Sequence, residues 1–218
     1  MNIEYAKENM IKQQIRTLGI PYGELLDAII EIPREAFLPK NMKTLAYSEA
    51  EIPLNHNQFA MAPQMIVKIL KVLDLKSHNH VLEVGTGCGY LTALMAKLSK
   101  MVETFDIHED FINHAKHTIK SLGIYNIKYR YGDAFQLLSS ENLYDVIVVT
   151  SAQKTLDSSL LKHLVIGGRM LIIVDHVCYK TVMMITKSAE DQHQQQVLFD
   201  IYEDANQKQE DHKDDFQF

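Results

Sequence analysis

Apolar and polar positions change their period along this 218-residue chain. The first third is read as helical. From about Asn79 to Lys187 short apolar runs alternate with amphipathic stretches, and a last strand is expected around Val197 to Tyr202. The runs are Val81 to Val84, Met101 to Asp106, Ile127 to Tyr131, Tyr144 to Thr150, Gly168 to Val174 behind the turn Ile166-Gly167-Gly168, and Thr181 to Thr186. The parallel ones are read as apolar throughout, as strands buried on both faces should be. Between the first two, Leu91, Leu94, Met95 and Leu98 form the stripe of a helix docked on the sheet. The expected fold is α/β: roughly seven strands, mostly parallel, with helices on both faces and an N-terminal helical extension. One compact domain is expected, divided into an extension and loop (residues 1–76), a sheet core (77–204) and an acidic polar tail (205–218) read as a frayed end.

The most informative break in the pattern is Val81-Leu82-Glu83-Val84-Gly85-Thr86-Gly87-Cys88-Gly89-Tyr90, where an apolar run ends in glycines at alternate positions and a helix follows. Glycine admits positive φ and close approach of a ligand to the backbone, and the next helix aims its N–H groups at the same place, so the turn suits a nucleotide. About twenty residues on, Asp106 ends the second run, the place for a carboxylate that accepts hydrogen bonds from ribose hydroxyls. The dinucleotide fingerprint G-x-G-x-x-G fails, because Tyr90 stands where its last glycine belongs, so a dehydrogenase is disfavoured.

Composition narrows the class further. With 46% hydrophobic residues the chain can fill one α/β core, and no segment approaches the ~18 apolar residues of a membrane span. No signal peptide is evident between Met1 and Arg16, and the two cysteines, Cys88 and Cys178, suit a reducing compartment, so a cytoplasmic location is expected. The net charge of −6 sits at one end: residues 190–218 hold nine acids and two lysines, leaving nineteen acids and twenty bases before them. A nearly neutral body gives no basic footprint for nucleic acid, and neither nucleic acid nor membrane is expected as a partner. The oligomeric state is left open.

The form Glu83-x-Gly85-x-Gly87-x-Gly89 resembles the first motif of S-adenosylmethionine-dependent methyltransferases. That resemblance implies a Rossmann-like fold with S-adenosyl-L-methionine as cofactor and S-adenosyl-L-homocysteine as product. It places the cofactor on Glu83, Gly85, Thr86, Gly87, Cys88, Gly89, Asp106 and Ile107, with Asp106 at the sugar. Asp133 and the Ala134 backbone would meet the adenine, and Thr150 would face the cofactor from the end of the fourth strand. Read from the residue type alone, Asp133 could equally be a turn residue capping the next helix.

The N-terminal third resembles the protein-L-isoaspartate (D-aspartate) O-methyltransferases more narrowly. The matching stretches are Met10-Ile11-Lys12-Gln13-Gln14-Ile15-Arg16, Leu25-Leu26-Asp27-Ala28-Ile29, Ile32-Pro33-Arg34-Glu35-Ala36-Phe37-Leu38-Pro39, and Ala46-Tyr47 with Ile52-Pro53-Leu54. The resemblance implies methyl transfer to the carboxylate of isoaspartyl residues in damaged proteins, with a protein or peptide carboxylate as acceptor.

Departures cluster in the loop that family uses to cover the cofactor and orient the acceptor, Gly-x-Gly-Gln-Thr-Ile-Ser-x-Pro. Here it reads Asn55-His56-Asn57-Gln58-Phe59-Ala60-Met61-Ala62-Pro63. Gln58 and Pro63 keep their places, Phe59 replaces the threonine, and Met61 occupies the position of the serine to which a catalytic role is given. A thioether has no proton to donate, so Met61 cannot reproduce a serine hydrogen bond to a carboxylate. After the fourth strand the family has a small-residue run closed by proline, against Thr150-Ser151-Ala152-Gln153 here, and after the fifth it often has Pro-Val-Gly, against Ile173-Val174-Asp175. The chemistry tolerates some loss, because a carboxylate is ionised at neutral pH and needs no general base. Losing one orienting hydrogen bond would cost ~1–3 kcal/mol.

Other candidates are weaker. His114 and His117, near His108, Glu109 and Asp110, superficially resemble metal ligands, but a solvated helix face accounts for them and no metal is expected. His78 and His80 read as surface residues, Ser151 lacks a G-x-S-x-G elbow and reads as pocket rim, and Phe59 with Met61 also fits an apolar lid packed over the cofactor. Three readings stay open: the isoaspartyl enzyme, a related methyltransferase with another acceptor, and a cofactor-binding protein without catalysis.

Overall fold

The computed structural model describes residues 3–139, 141–154, 158–176 and 178–202; the expected tail, 205–218, lies outside the described residues. Helix α1 (Ile3–Asn9) runs on through a π-helical stretch, Met10–Ile15, and a 3-10 turn, Arg16–Leu18, until Gly19 at φ +68° ends it. Then come α2 (Glu24–Glu31), 3-10 turns at Arg34–Phe37 and Lys43–Leu45, a small antiparallel hairpin of β1 (Ile52–Pro53) and β2 (Phe59–Ala60), and α3 (Pro63–Leu73) with proline at its first position.

The core follows as β3 (His80–Val84), α4 (Tyr90–Leu98), β4 (Met101–Asp106), α5 (Glu109–Ser121), β5 (Ile127–Tyr131), α6 (Ala134–Leu137), β6 (Tyr144–Gln153), β7 (Leu164–Asp175), β8 (Tyr179–Ala189) and β9 (Gln192–Tyr202). These strands form one seven-stranded sheet in the order β5-β4-β3-β6-β7-β8-β9. The first five are parallel, and β8 and β9 are added antiparallel as hairpins. This is the expected α/β, mostly parallel, Rossmann-like architecture.

Side-chain alternation along the central strands divides the core in two. Val81, Val146, Val148, Leu171 and Ile173 point to the face covered by α3, α4, α5 and the N-terminal extension, in a cluster that includes Met10, Ile29, Phe37 and Ile69. Leu82, Val84, Ile147, Val149, Met170 and Ile172 point the other way, onto Ala134 of α6 and onto Leu160 in the 3-10 turn Ser158–His163. Burial of both faces by these β-branched and leucine side chains is what makes the runs read as strands.

Three expectations need correction. β5 is not an apolar strand: Lys128, Arg130 and Tyr131 are exposed because β5 is the sheet edge. β7 starts at Leu164 rather than Gly168, with Gly167 at φ +82° inside it; the register passes from Tyr144↔Leu164 to Val146↔Arg169, so the expected turn is a bulge that the strand absorbs. β9 starts at Gln192 rather than Val197; its first residues are exposed and carry no apolar alternation, and backbone pairing with β8 alone makes them a strand.

Candidate active site at the switch point of the sheet

Connections leave β3 towards β4 and β5 on one side and return through β6 to β7 on the other, so the crevice beyond the carboxyl ends of β3 and β6 is where ligands bind in open α/β sheets. A cavity of about 420 Å³ opens there, within the range for small-molecule sites. It is walled by the turn 83–88, the end of β4 from Phe105 to His108, the 132–135 turn, the end of β6 at Thr150, Ser151 and Gln153, and the lid residues Gln58 to Met61. Sequence-derived candidates far apart in the chain are thus brought to one place, with Gly89 and Pro63 standing behind the wall rather than in it.

Two of the turn glycines are needed for close approach. A Cβ on Gly85 (φ +101°) would fall 2.7 Å from the Thr150 hydroxyl, and one on Gly89 (φ +88°) would fall 2.6 Å from Ala115 Cβ on α5. The turn is held from beneath. Asp106 Oδ2 accepts from the Gly87 N–H at 2.9 Å, its Oδ1 accepts from the His108 N–H at 2.9 Å, and the Thr150 hydroxyl donates to the Gly85 carbonyl at 2.9 Å. A carboxylate has roughly four acceptor positions, so Asp106 fixes the turn and keeps acceptor capacity towards the cavity.

Glu83 is wholly buried beneath the same turn. Its Oε2 accepts from Thr92 and from Thr104, each at 2.6 Å, Thr104 is paired with Thr86 at 2.6 Å, and Oε1 has no partner among the described residues. Burial, partly opposed by the two hydroxyls, pushes its carboxyl up to about 8. An unfolded chain releases this proton at an ordinary pKa of 4.5, so the native state binds more protons between the two values. Stability from this group is present below the unfolded pKa and is lost as pH rises through about 8. Thermal melts of Glu83→Gln across this window should fall less steeply with pH than those of the native protein; parallel curves would refute the protonated form.

The adenine-side candidates are placed as follows. Ala134 is buried in the cavity wall, and Ile107, also on the wall, is 63% exposed. Asp133 lines the cavity but caps α6: Oδ1 accepts from Phe135 N at 3.0 Å and Oδ2 from Gln136 Nε2 at 2.9 Å. Its role as a helix cap is therefore realised. Cys88 is buried in the wall, and burial raises its thiol pKa.

The lid is the β1–β2 hairpin and its continuation. Met61 packs against the core as an apolar lid would, whereas Phe59 is 54% exposed at the cavity mouth, so packing does not account for it. Pro63 is buried at the start of α3 and sets the lid's exit, and Gln58 closes the hairpin through backbone bonds with Leu54 and Asn55. His56 and Asn57 sit at φ +58° and +53°. The His56 ring stacks on His108 at 3.9 Å, and Asp110 accepts from Asn55 at 3.0 Å and pairs with His56 at 2.9 Å. Those bonds, Asn55 foremost, hold the Asp110 carboxyl below its ordinary pKa.

Sequence reasoning missed two features here. Arg34 is completely buried; it donates to the carbonyls of Ala46 and Met61, each at 2.8 Å, and lies over the Tyr90 ring. No carboxylate pairs with it among the described residues, and burial lowers its pKa. Its only sequence signal is the Pro-Arg-x-x-Phe-x-Pro element. The His56–His108 stack has no signal, because the partners come from separate units. Of the histidines weighed for metal, His114 contacts the Phe37 carbonyl at 3.2 Å, and no metal-type cluster occurs among the described residues. No described helix is long and apolar enough to cross a membrane.

Comparison with known proteins agrees with this geometry. The profile of the protein-L-isoaspartate(D-aspartate) O-methyltransferases matches residues 5–202. A protein-L-isoaspartate O-methyltransferase of Petrotoga mobilis is 32% identical over 188 residues, covering 86% of this chain and 88% of that protein. One from Methanoculleus marisnigri is 34% identical over 165 residues, 76% of this chain and 75% of its own length. A Plasmodium falciparum chain assigned to the same enzymes and crystallised with S-adenosyl-L-homocysteine superposes with a TM-score of 0.77 at 24% identity, covering 92% of this chain and 96% of that one.

Proposed function

The chain belongs to the protein-L-isoaspartate(D-aspartate) O-methyltransferase family, and from that premise we propose that it transfers a methyl group from S-adenosyl-L-methionine to the carboxylate of isoaspartyl residues in damaged proteins. The observation that carries this is the cavity at the switch point, with a glycine turn clamped by Asp106 and an unpartnered, buried Glu83 oxygen. A cationic ligand bearing a ribose fits it. The Asp106 carboxylate lies beneath the turn, a Cβ at Gly87 would meet nothing within 4 Å, and the remaining wall is largely apolar.

In this reading the Gly85, Thr86, Gly87, Cys88 and Gly89 backbone cradles the cofactor and Asp106 receives its sugar hydroxyls. Ile107, Asp133 and Ala134 flank its base, and Thr150 holds the turn in shape. S-adenosyl-L-methionine supplies an electrophilic methyl: the carboxylate oxygen forms the new O–C bond as the S–C bond breaks with its electron pair on sulfur, and no proton moves. The protein has only to align and to exclude water, an advantage that reaches ~7 kcal/mol or more when geometry is held. Gln58, Phe59 and Met61 cover the reacting groups. A protein or peptide acceptor is supported by the names of the relatives. A cytoplasmic location is supported by two unpaired cysteines, Cys88 and Cys178.

A second reading, a related enzyme with a different carboxylate acceptor, is favoured by Phe59, whose exposed ring stands at the mouth where the family places a threonine. Labelled methyl transfer to an isoaspartyl peptide, run beside the matched aspartyl peptide, separates the two. Incorporation into the isoaspartyl peptide alone is expected, and equal failure on both peptides with retained S-adenosyl-L-homocysteine binding would leave the second reading or a non-catalytic binder. Met61→Ser should raise isoaspartyl turnover by about tenfold, the worth of one added orienting hydrogen bond; an unchanged rate would show that position 61 does not meet the acceptor.

A further inference from the structure

The acceptor carboxylate needs at least one hydrogen-bond donor to hold one oxygen while the other attacks, and the lid offers none from Phe59 or Met61. Three side-chain hydroxyls reach the cavity wall: Thr86, Thr150 and Ser151. Thr86 is committed to Thr104 at 2.6 Å beneath the turn, and Thr150 donates to the carbonyls of Val84 and Gly85 at 3.2 and 2.9 Å. Ser151 differs. Its Oγ accepts from Gln153 Nε2 at 3.0 Å, the same amide also reaches the Ser151 carbonyl at 3.0 Å, and among the described residues no acceptor takes the hydroxyl proton.

A hydroxyl has a single proton and two lone pairs, so one that is held as an acceptor keeps that proton free to donate to a ligand. Ser151 and Gln153 both line the cavity at the end of β6, where the pairing with β7 is irregular between Val149 and Gln153. Ser151 also abuts the glycine turn: a Cβ on Gly85 would lie 3.3 Å from its backbone nitrogen and 3.8 Å from its Cβ. The chain thus carries two hydrogen-bonding side chains where its family has a run of small residues, beside a lid that has lost two hydroxyls. We propose that Ser151, oriented by Gln153, binds the acceptor carboxylate, so that the donor missing from position 61 is supplied from the strand side of the cavity.

This rests on the carboxyl-methyltransfer reading, and the experiment keeps the two apart. Native protein, Ser151→Ala and Ser151→Thr are compared for methyl transfer to an isoaspartyl peptide, for affinity of that peptide to the protein loaded with S-adenosyl-L-homocysteine, and for S-adenosyl-L-homocysteine affinity itself. Ser151→Ala should lose about 10- to 100-fold in kcat/KM and bind the peptide more weakly, while S-adenosyl-L-homocysteine affinity stays within about twofold and threonine, which keeps the hydroxyl, retains most of the activity. The assignment is overturned if Ser151→Ala keeps kcat/KM within about threefold of the native value, if threonine is as poor as alanine, or if S-adenosyl-L-homocysteine affinity falls in step with activity. Native protein that binds S-adenosyl-L-homocysteine yet methylates no isoaspartyl peptide would sink the functional reading first, before any variant is compared, and the Ser151 assignment with it.

Discussion

Asp106→Ala should bind S-adenosyl-L-homocysteine at least ~100-fold more weakly than the native protein, since bonds to a charged acceptor are worth roughly 1.5–3 kcal/mol each and at least one is lost together with the shape of the loop. Asp106 acts twice. It is the acceptor proposed for the ribose hydroxyls, and its two oxygens already hold the Gly87 and His108 N–H groups, each at 2.9 Å. Alanine leaves both N–H groups unpaired at the cavity floor and frees a turn that adopts positive φ at its glycines. Asp106→Asn keeps one acceptor oxygen and should fall between the two. Titration calorimetry reads the affinities, and far-ultraviolet circular dichroism checks that the sheet survives. Native-like affinity in the alanine variant would mean that the ligand does not use this end of β4.

Gly89→Ala should destabilise the protein by ~2–5 kcal/mol, combining about 1–2 kcal/mol for a left-handed non-glycine residue with ~1–3 kcal/mol for overpacking. The added methyl would lie 2.6 Å from Ala115 Cβ and 3.1 Å from Ala115 Cα, so the start of α4 cannot keep its distance from α5. Adding Ala115→Gly removes the nearer clash and should recover part of the loss, less the ~0.5–1 kcal/mol that glycine costs inside a helix. Urea unfolding of both single variants and the double variant measures the coupling. Additive effects would show that the helices are not in the tight contact described.

Much of this site was legible because its determinants are local. Glu83 to Gly89 announce a strand, a turn and a helix within one short stretch, and Asp106 stands at the end of the next strand, so spacing alone put both in one pocket. Asp133 was ambiguous for a physical reason: the same carboxylate that caps α6 also lines the cavity, and residue type cannot separate these uses. Arg34 was silent, since burying a guanidinium without a counter-charge is a property of the surroundings rather than of the residue. β9 was half-legible because its glutamines are strand only through pairing with β8. Ser151 looked like rim until the Gln153 amide was placed on its oxygen.

The two ends of the lid are held with very different strength. At Met61 the backbone is tied to the buried Arg34, and withdrawing that carbonyl would strip a partner from a guanidinium that already has one nitrogen unbonded among the described residues. At the tip the ties are solvent-exposed, His56 and Asp110 being 41% and 46% accessible, and such pairs contribute only ~0–1 kcal/mol. His56 and Asn57 there also adopt left-handed backbone, which these two residue types tolerate better than most. The lid's firmest anchorage is therefore at Met61, and its weakest ties are along the edge that carries His56.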